Sequence, residues 1–152
     1  MIFSENDKRV FVVYLGLGSN IGDTKQNLLE SFSQLSLFLT DPVLSPVIES
    51  ESVNQSGSIE KDAPRYANAA AKAKYQGTLS DLLNSLQNIE IKMGRNTDEK
   101  GQYKPRIIDL DILRVFVDGK EVFLNTELLT IPHPRIDERV FVTEPLKKLG
   151  LS

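Results

Sequence analysis

Apolar and polar positions alternate in short blocks along this chain, and the blocks switch between a strand-like and a helix-like period. Residues 10–17 (VFVVYLGL) form an apolar run that reads as a buried strand. Gly16, Gly18, Ser19, Asn20 and Gly22 follow as a tight turn, and Asp23 is placed to cap a helix. Leu28, Phe32, Leu35 and Leu39 recur at helical spacing until Asp41-Pro42 stops them. Residues 43–50 read as a second strand, interrupted at Pro46, and residues 54–65 as a loop containing Gly57 and Pro64. Residues 66–75 alternate small and polar residues, which suits a strand, although the alanines suit a helix equally well. Thr78 with Asp81 resembles a capping box. Leu79, Leu82, Leu83, Leu86, Ile89 and Met93 then form a second amphipathic stripe, which Gly94 terminates.

A polar loop over residues 95–104 leads into Ile107-Ile108-Asp109-Leu110-Asp111-Ile112-Leu113, a third strong strand pattern. An Asp118-Gly119 turn joins it to residues 121–124 as a hairpin. The segment Ile131-Pro132-His133-Pro134-Arg135 and a short helix near residues 144–149 complete the chain. The order β-α-β-β-α-β, with a trailing hairpin and helix, predicts an α+β, ferredoxin-like sandwich. Residues 1–9 are expected to be a flexible tail and residues 10–152 a single domain.

The bulk composition narrows the function classes. With 40% apolar and 26% charged residues, this is an ordinary globular composition. A net charge of −3 argues against nonspecific nucleic-acid binding, while leaving room for a local basic pocket. The lack of cysteine excludes disulfides and thiolate metal sites and suits a reducing, cytoplasmic setting. No apolar run reaches the length of a membrane span, and residues 1–9 lack a signal-peptide core.

The candidate chemistry centres on the acidic strand. Asp109 and Asp111 share one strand face, with backbones ~7 Å apart. Ile108, Leu110 and Ile112 take the other face. Neighbouring carboxylates repel and are costly to bury, and a divalent cation relieves both problems. Magnesium suits such oxygen donors and leaves positions for water and phosphate. The plainer reading is a polar strand face with solvated acids, or acids paired with Arg106. Arg95 and Arg106 bracket the preceding loop, which also carries Lys100, Tyr103 and Lys104. Arginine forks onto phosphate oxygens, although loop charges are more often simply solvated. His133, the lone histidine, sits between prolines near Arg135 and Arg139, a stiff setting for donation to a phosphate. Tyr66 and Asn68 share a face if their stretch is a strand, and with Phe141 they offer the stacking and amide pairing that a flat heterocycle needs. Ordinary core packing accounts for each ring singly. The Gly16–Gly22 turn lacks the spacing of a dinucleotide fingerprint, and the readings left for it are a tight turn or a helix N-terminus open to a flat ligand.

Taken together, YLGLGSNIGD, APRYANAA, IEIKMGR, KPRIIDLDIL and IPHPRIDERVFVTEPL resemble the 6-hydroxymethyl-7,8-dihydropterin pyrophosphokinases of folate synthesis. The segments run in the family's order and span nearly the whole chain. The resemblance implies a ferredoxin-like fold and transfer of pyrophosphate from ATP to the pterin hydroxymethyl group, with release of AMP. It implies that Asp109 and Asp111 hold two magnesium ions, with Arg95 and Arg106 as the catalytic phosphate-binding arginines. It places Gln87, Glu90, Arg95, Arg106, Ile112, Thr130, His133 and Arg139 at the ATP site. Ser52, Val53, Tyr66, Asn68 and Phe141 would bind the pterin. The implied partners are ATP and the pterin alone, with no nucleic acid or membrane, and the implied state is a monomer. A binding module without catalysis is the competing reading. A ferredoxin-like RNA-binding domain is a third, disfavoured because the aromatic RNA-binding pattern and a basic surface are lacking.

Overall fold

The computed structural model of the chain describes residues 3–50, 66–94, 107–134 and 140–150, with backbone alone at residues 50 and 140–142. Strand β1 (Arg9–Ser19) lies at the centre of an antiparallel sheet. Its neighbours are β4 (Tyr66–Gly77) on one side and β5 (Asp109–Val117) on the other. β2 (Thr40–Leu44) and β3 (Ile48–Ser50) both pair with the outer edge of β4, and β6 (Lys120–Glu121) pairs with β5. The strand order is β2-β4-β1-β5-β6. A separate small ladder joins β7 (Leu124–Asn125) to β8 (Thr130–Ile131). Three helices occur among the described residues: α1 (Thr24–Leu35), α2 (Leu79–Lys92) and α3 (Val140–Lys148). The architecture is therefore α+β.

Alternation sends one face of the sheet into the main core. Phe11, Val13, Leu15 and Leu17 of β1 meet Leu28 and Leu35 of α1 and Leu79, Leu82 and Leu86 of α2. Ala67, Ala69, Ala71 and Ala73 of β4 join the same core. Only a strand, with its two-residue period, puts all four alanines on one face, which settles the strand-or-helix ambiguity of that stretch. The helix ends follow the expected chemistry. The Asp23 carboxylate accepts the Gln26 N–H at 3.1 Å, and the Thr78 hydroxyl accepts the Asp81 N–H at 3.0 Å. Gly94 follows α2 with φ +102°, a conformation that favours glycine. At the other end of the chain, the Phe3 ring lies 6.1 Å from that of Phe11, and Ser80 N–H donates to the Glu5 carbonyl at 2.8 Å.

Several boundaries differ from the sequence reading, among them the ends of β4, which runs to Gly77, and of β5, which spans Asp109–Val117 rather than residues 107–113. Gly16 and Gly18 are not in a turn; they are paired residues of β1, which runs on to Ser19. Helix α1 ends at Leu35, before Asp41-Pro42, with the Ser36 N–H bonded back to the Phe32 and Gln34 carbonyls. Asp41 and Pro42 belong instead to edge strand β2, where a missing N–H is tolerated, and Asp41 adopts φ +51° at a register shift. After the Asp118-Gly119 turn, with φ +50° and +78°, pairing covers Lys120 and Glu121 rather than residues 121–124. Leu124 pairs with Ile131 instead. Helix α3 starts at Val140, ahead of the expected residue 144, and so places Pro145 inside it. Packing of Leu146 and Leu149 with Tyr14 and Leu113 holds this helix in place despite the hydrogen bond that proline removes. The expected interruption near Pro46 is present: Ser45 N–H donates to the Ala70 carbonyl at 2.8 Å, and Ser45 Oγ accepts the Ala70 N–H at 2.9 Å, between β2 and β3.

Candidate active site

The second face of the sheet carries the polar residues expected at the site. Its middle holds an apolar cluster of Tyr14, Ala70, Leu113 and Leu146, flanked by Val12, Phe116 and Leu149. Toward the C-terminal end of β1 the cluster gives way to two cross-strand rows. In one, Gly18 lies between Asn68 of β4 and Asp109 of β5. In the other, Gly16 lies between Ala70 and Asp111. Cross-strand partners point to the same side, so Asn68, Asp109 and Asp111 share this face, and Tyr66 joins them two residues before Asn68. Asn68, Asp109 and Asp111 are each half-buried, and Tyr66 is exposed.

The two glycines give these rows a floor without side chains. A Cβ on Gly18 would lie 3.1 Å from Asn68 Oδ1, and one on Gly16 would lie 3.3 Å from a Leu113 methyl. Neither glycine has a positive φ, so what they supply here is space rather than an unusual backbone conformation. β4 and β5 flank β1, so their backbones stand about 10 Å apart across it. The result is a slot with an amide on one wall and a carboxylate pair on the other, narrow enough that Leu113 lies over Gly16 and the Asn68 amide over Gly18.

β5 is shaped by a bulge. Tyr14 pairs with Arg114 and Leu15 with Ile112, which leaves Leu113 as the extra residue. Before the bulge, Leu110 and Ile112 face the core and the aspartates face the slot, as the alternation predicts. After it the phase changes, and Val115 and Val117 enter the core. The Leu113 carbonyl accepts the His133 N–H at 2.8 Å, so the bulge anchors the chain at the lone histidine against the acidic strand. Farther along, Arg114 donates from Nε and Nη2 to the two Glu121 carboxylate oxygens at 2.8 and 2.6 Å.

The remaining expected site residues fall in several places. Gln87 and Glu90 lie three residues apart on α2, Gln87 half-buried and Glu90 fully buried. Thr130 pairs with Asn125 in the β7–β8 ladder, and its hydroxyl donates to Asn125 Oδ1 at 3.1 Å. The Ile112 side chain packs in the core, facing away from the slot. Ser52, Val53, Arg95, Arg106 and Arg139 lie outside the described residues, as does the Phe141 side chain, although the Phe141 backbone belongs to α3. Sequence reasoning missed the glycine floor and the tie between Glu90 and β5, where Leu110 N–H donates to Glu90 Oε2 at 3.0 Å. A signal for the tie existed: a glutamate four residues after Leu86 falls inside an otherwise apolar helical stripe.

Among the described residues, no group of three or more His, Cys, Asp or Glu side chains could hold a metal ion. Two oxygen donors on one strand face nevertheless fit magnesium, which takes one or two carboxylates and completes its shell with water and phosphate.

These features define a class: an α+β domain with a polar site built on one face of its antiparallel sheet. Comparison with known proteins narrows the class to a family. A family model described as 7,8-dihydro-6-hydroxymethylpterin-pyrophosphokinase (HPPK) matches residues 14–150. The chain is 34% identical over 137 residues to the 2-amino-4-hydroxy-6-hydroxymethyldihydropteridine pyrophosphokinase of Aquifex aeolicus, covering 90% of this chain and 79% of that protein. The protein of the same name from Bacillus subtilis is 33% identical over 140 residues, covering 91% and 77% respectively. Folic acid synthesis protein fol1 of Pneumocystis carinii is 37% identical over 147 residues, which make up 95% of this chain and 18% of that much longer protein. The chain belongs to the HPPK family, whose members are pyrophosphokinases of folate synthesis.

Proposed function

We infer that this chain transfers pyrophosphate from ATP to the hydroxymethyl group of 6-hydroxymethyl-7,8-dihydropterin and releases AMP. The observation that carries the reading is the slot itself: Asp109 and Asp111 across a glycine floor from Asn68, in a chain of this family. The pterin lies in the slot beside Gly18, with its edge hydrogen-bonded by Asn68 and by the backbone at Ser52 and Val53. Tyr66 and Phe141 pack against its ring. Arg95, Arg106 and Arg139 neutralise the phosphates, and Gln87, Thr130 and His133 complete the nucleotide site.

Asp109 and Asp111 are the residues that would hold magnesium. Bound there, the cation supplies neutralisation of phosphate charge and a lowered pKa for a coordinated hydroxyl. The reaction is an in-line displacement. The pterin hydroxymethyl oxygen forms a bond to the β-phosphorus, and the bond from that phosphorus to the α–β bridging oxygen breaks. AMP leaves with the bridging oxygen, and the hydroxyl proton passes to solvent. The chain's own residues contribute positioning and charge stabilisation, the main terms in phosphoryl-type transfer.

The order β5-β1-β4-β2, antiparallel throughout, supports a ferredoxin-like arrangement. No described helix is long and apolar enough to cross a membrane. The enzyme acts as a cytoplasmic monomer on two small molecules.

The test is a product assay with magnesium, ATP and the pterin. AMP and the pterin pyrophosphate form in equal amounts. Formation of ADP, or binding of both ligands without consumption of ATP, overturns the reading.

A further inference from the structure

Glu90 lies within the apolar stripe of α2 and is 2% exposed. A carboxylate removed from water costs several kcal/mol unless hydrogen bonds compensate it. At least one is present: Glu90 Oε2 accepts the Leu110 N–H at 3.0 Å. Leu110 is the residue between Asp109 and Asp111. On its β1 side it stands opposite Leu17. On the other side, β6 pairs only with Phe116 and Val117, so no described strand reaches Leu110 there. There the glutamate accepts an N–H that, among the described residues, no neighbouring strand accepts. Fixing the backbone at Leu110 also fixes the Cα atoms on either side of it, and with them the separation and direction of the two carboxylates.

We propose that Glu90 is a positioning residue: its buried carboxylate pins β5 at Leu110 and so holds Asp109 and Asp111 in the geometry that binds the magnesium–ATP phosphates. This rests on the function proposed above and deepens it. It also gives Glu90 a different task from touching the nucleotide, since so buried a side chain offers a ligand almost no surface. A carboxyl group, rather than an apolar side chain, suits this place because its oxygen accepts the Leu110 N–H.

The test compares Glu90→Leu, which keeps the volume and loses the acceptor, with Glu90→Gln, which keeps an acceptor oxygen. The first readout needs neither metal nor nucleotide: exchange of the Leu110 amide proton in the free protein. It is expected to speed up at least ~10-fold in Glu90→Leu and to return most of the way in Glu90→Gln. The second is the magnesium concentration for half-maximal activity at saturating ATP, expected to rise ~10- to 100-fold in Glu90→Leu, with the glutamine variant recovering most of the loss. If Glu90→Leu does not fold, an ester in place of the amide at Leu110 removes the donor with Glu90 intact, and the same magnesium shift is expected. Equal impairment of the leucine and glutamine variants overturns the proposal, as does unchanged Leu110 exchange in Glu90→Leu or an unshifted magnesium requirement in the ester protein. Asp109→Ala serves as the control for the underlying reading. If it keeps normal turnover, the function assignment falls, while the Leu110 exchange result still reports whether the Glu90 tie exists.

Discussion

The two faces of the sheet are built on opposite rules. The helix-covered face is a field of large and small apolar side chains, with Phe11, Val13, Leu15 and Leu17 on β1 interlocked with α1 and α2. The opposite face near the C-terminal end of β1 uses two glycines, an alanine, an asparagine and two aspartates in the same pleated rows. On the first face, side-chain volume does the work, because close packing and removal from water stabilise the fold. On the second, the absence of volume matters, because Gly16 and Gly18 leave room for Leu113 and for the Asn68 amide to lie close against β1. The same strand serves both purposes, since alternate residues of β1 answer to different demands.

If that division holds, substitutions on the two faces separate stability from activity. The largest effect is expected for Phe11→Ala, which should cost about 3–5 kcal/mol of unfolding free energy by denaturant titration while leaving turnover per folded molecule unchanged. Asp111→Ala should do the reverse. Its turnover should fall roughly 10²- to 10³-fold in the AMP-release assay, equivalent to about 2.7–4 kcal/mol of transition-state stabilisation, with a nearly unchanged denaturation midpoint. A joint loss of stability and activity in either variant would break the comparison. A subtler probe is Gly18→Ala, whose new methyl meets Asn68 Oδ1 at 3.1 Å. The asparagine has to give way, and the KM for the pterin should rise roughly fivefold, about 1 kcal/mol, with kcat little altered. An unchanged KM would mean that the slot is not where the pterin lies.

The smallest effect belongs to the covered face and appears only at alkaline pH. Burial, reinforced by the negative charge of Asp81, raises the pKa of the Tyr75 phenol above its ordinary value. Above about pH 10 the unfolded chain releases this proton before the folded one does. The stability is fully present below that pH and declines as pH climbs from there through the raised folded-state pKa. Tyr75→Phe should flatten that decline in thermal melts recorded between pH 9 and 11, and parallel pH profiles for the two proteins would contradict it.

Local patterns were legible where local geometry decides them. The Thr78 and Asp23 caps, the Gly94 stop, the leucine stripe of α2 and the shared face of Asp109 and Asp111 all follow from spacings of two to four residues. Asp41-Pro42 misled because a proline that cannot continue a helix can equally sit in an edge strand, and only the pairing of β2 with β4 distinguishes the two. Gly16 and Gly18 misled in the same way. Glycine before a helix looks like a turn, and nothing near it in the chain reveals that Asn68 and Asp109 will flank it. The register slip at Leu113 is also silent locally, since it arises from how β5 meets β1 and from the His133 N–H that captures its carbonyl.

What the sequence determined by itself is the main strands and helices, their caps and the shared face of Asp109 and Asp111, because backbone period and capping act over a few residues. Its motifs were also enough to indicate the family. What the tertiary structure alone decided is the slot: which glycines lie beside which carboxylates, where β5 bulges, and that a glutamate buried under the sheet reaches Leu110. Those relations join residues far apart in the chain, and they exist only once pairing and packing have excluded water from between them.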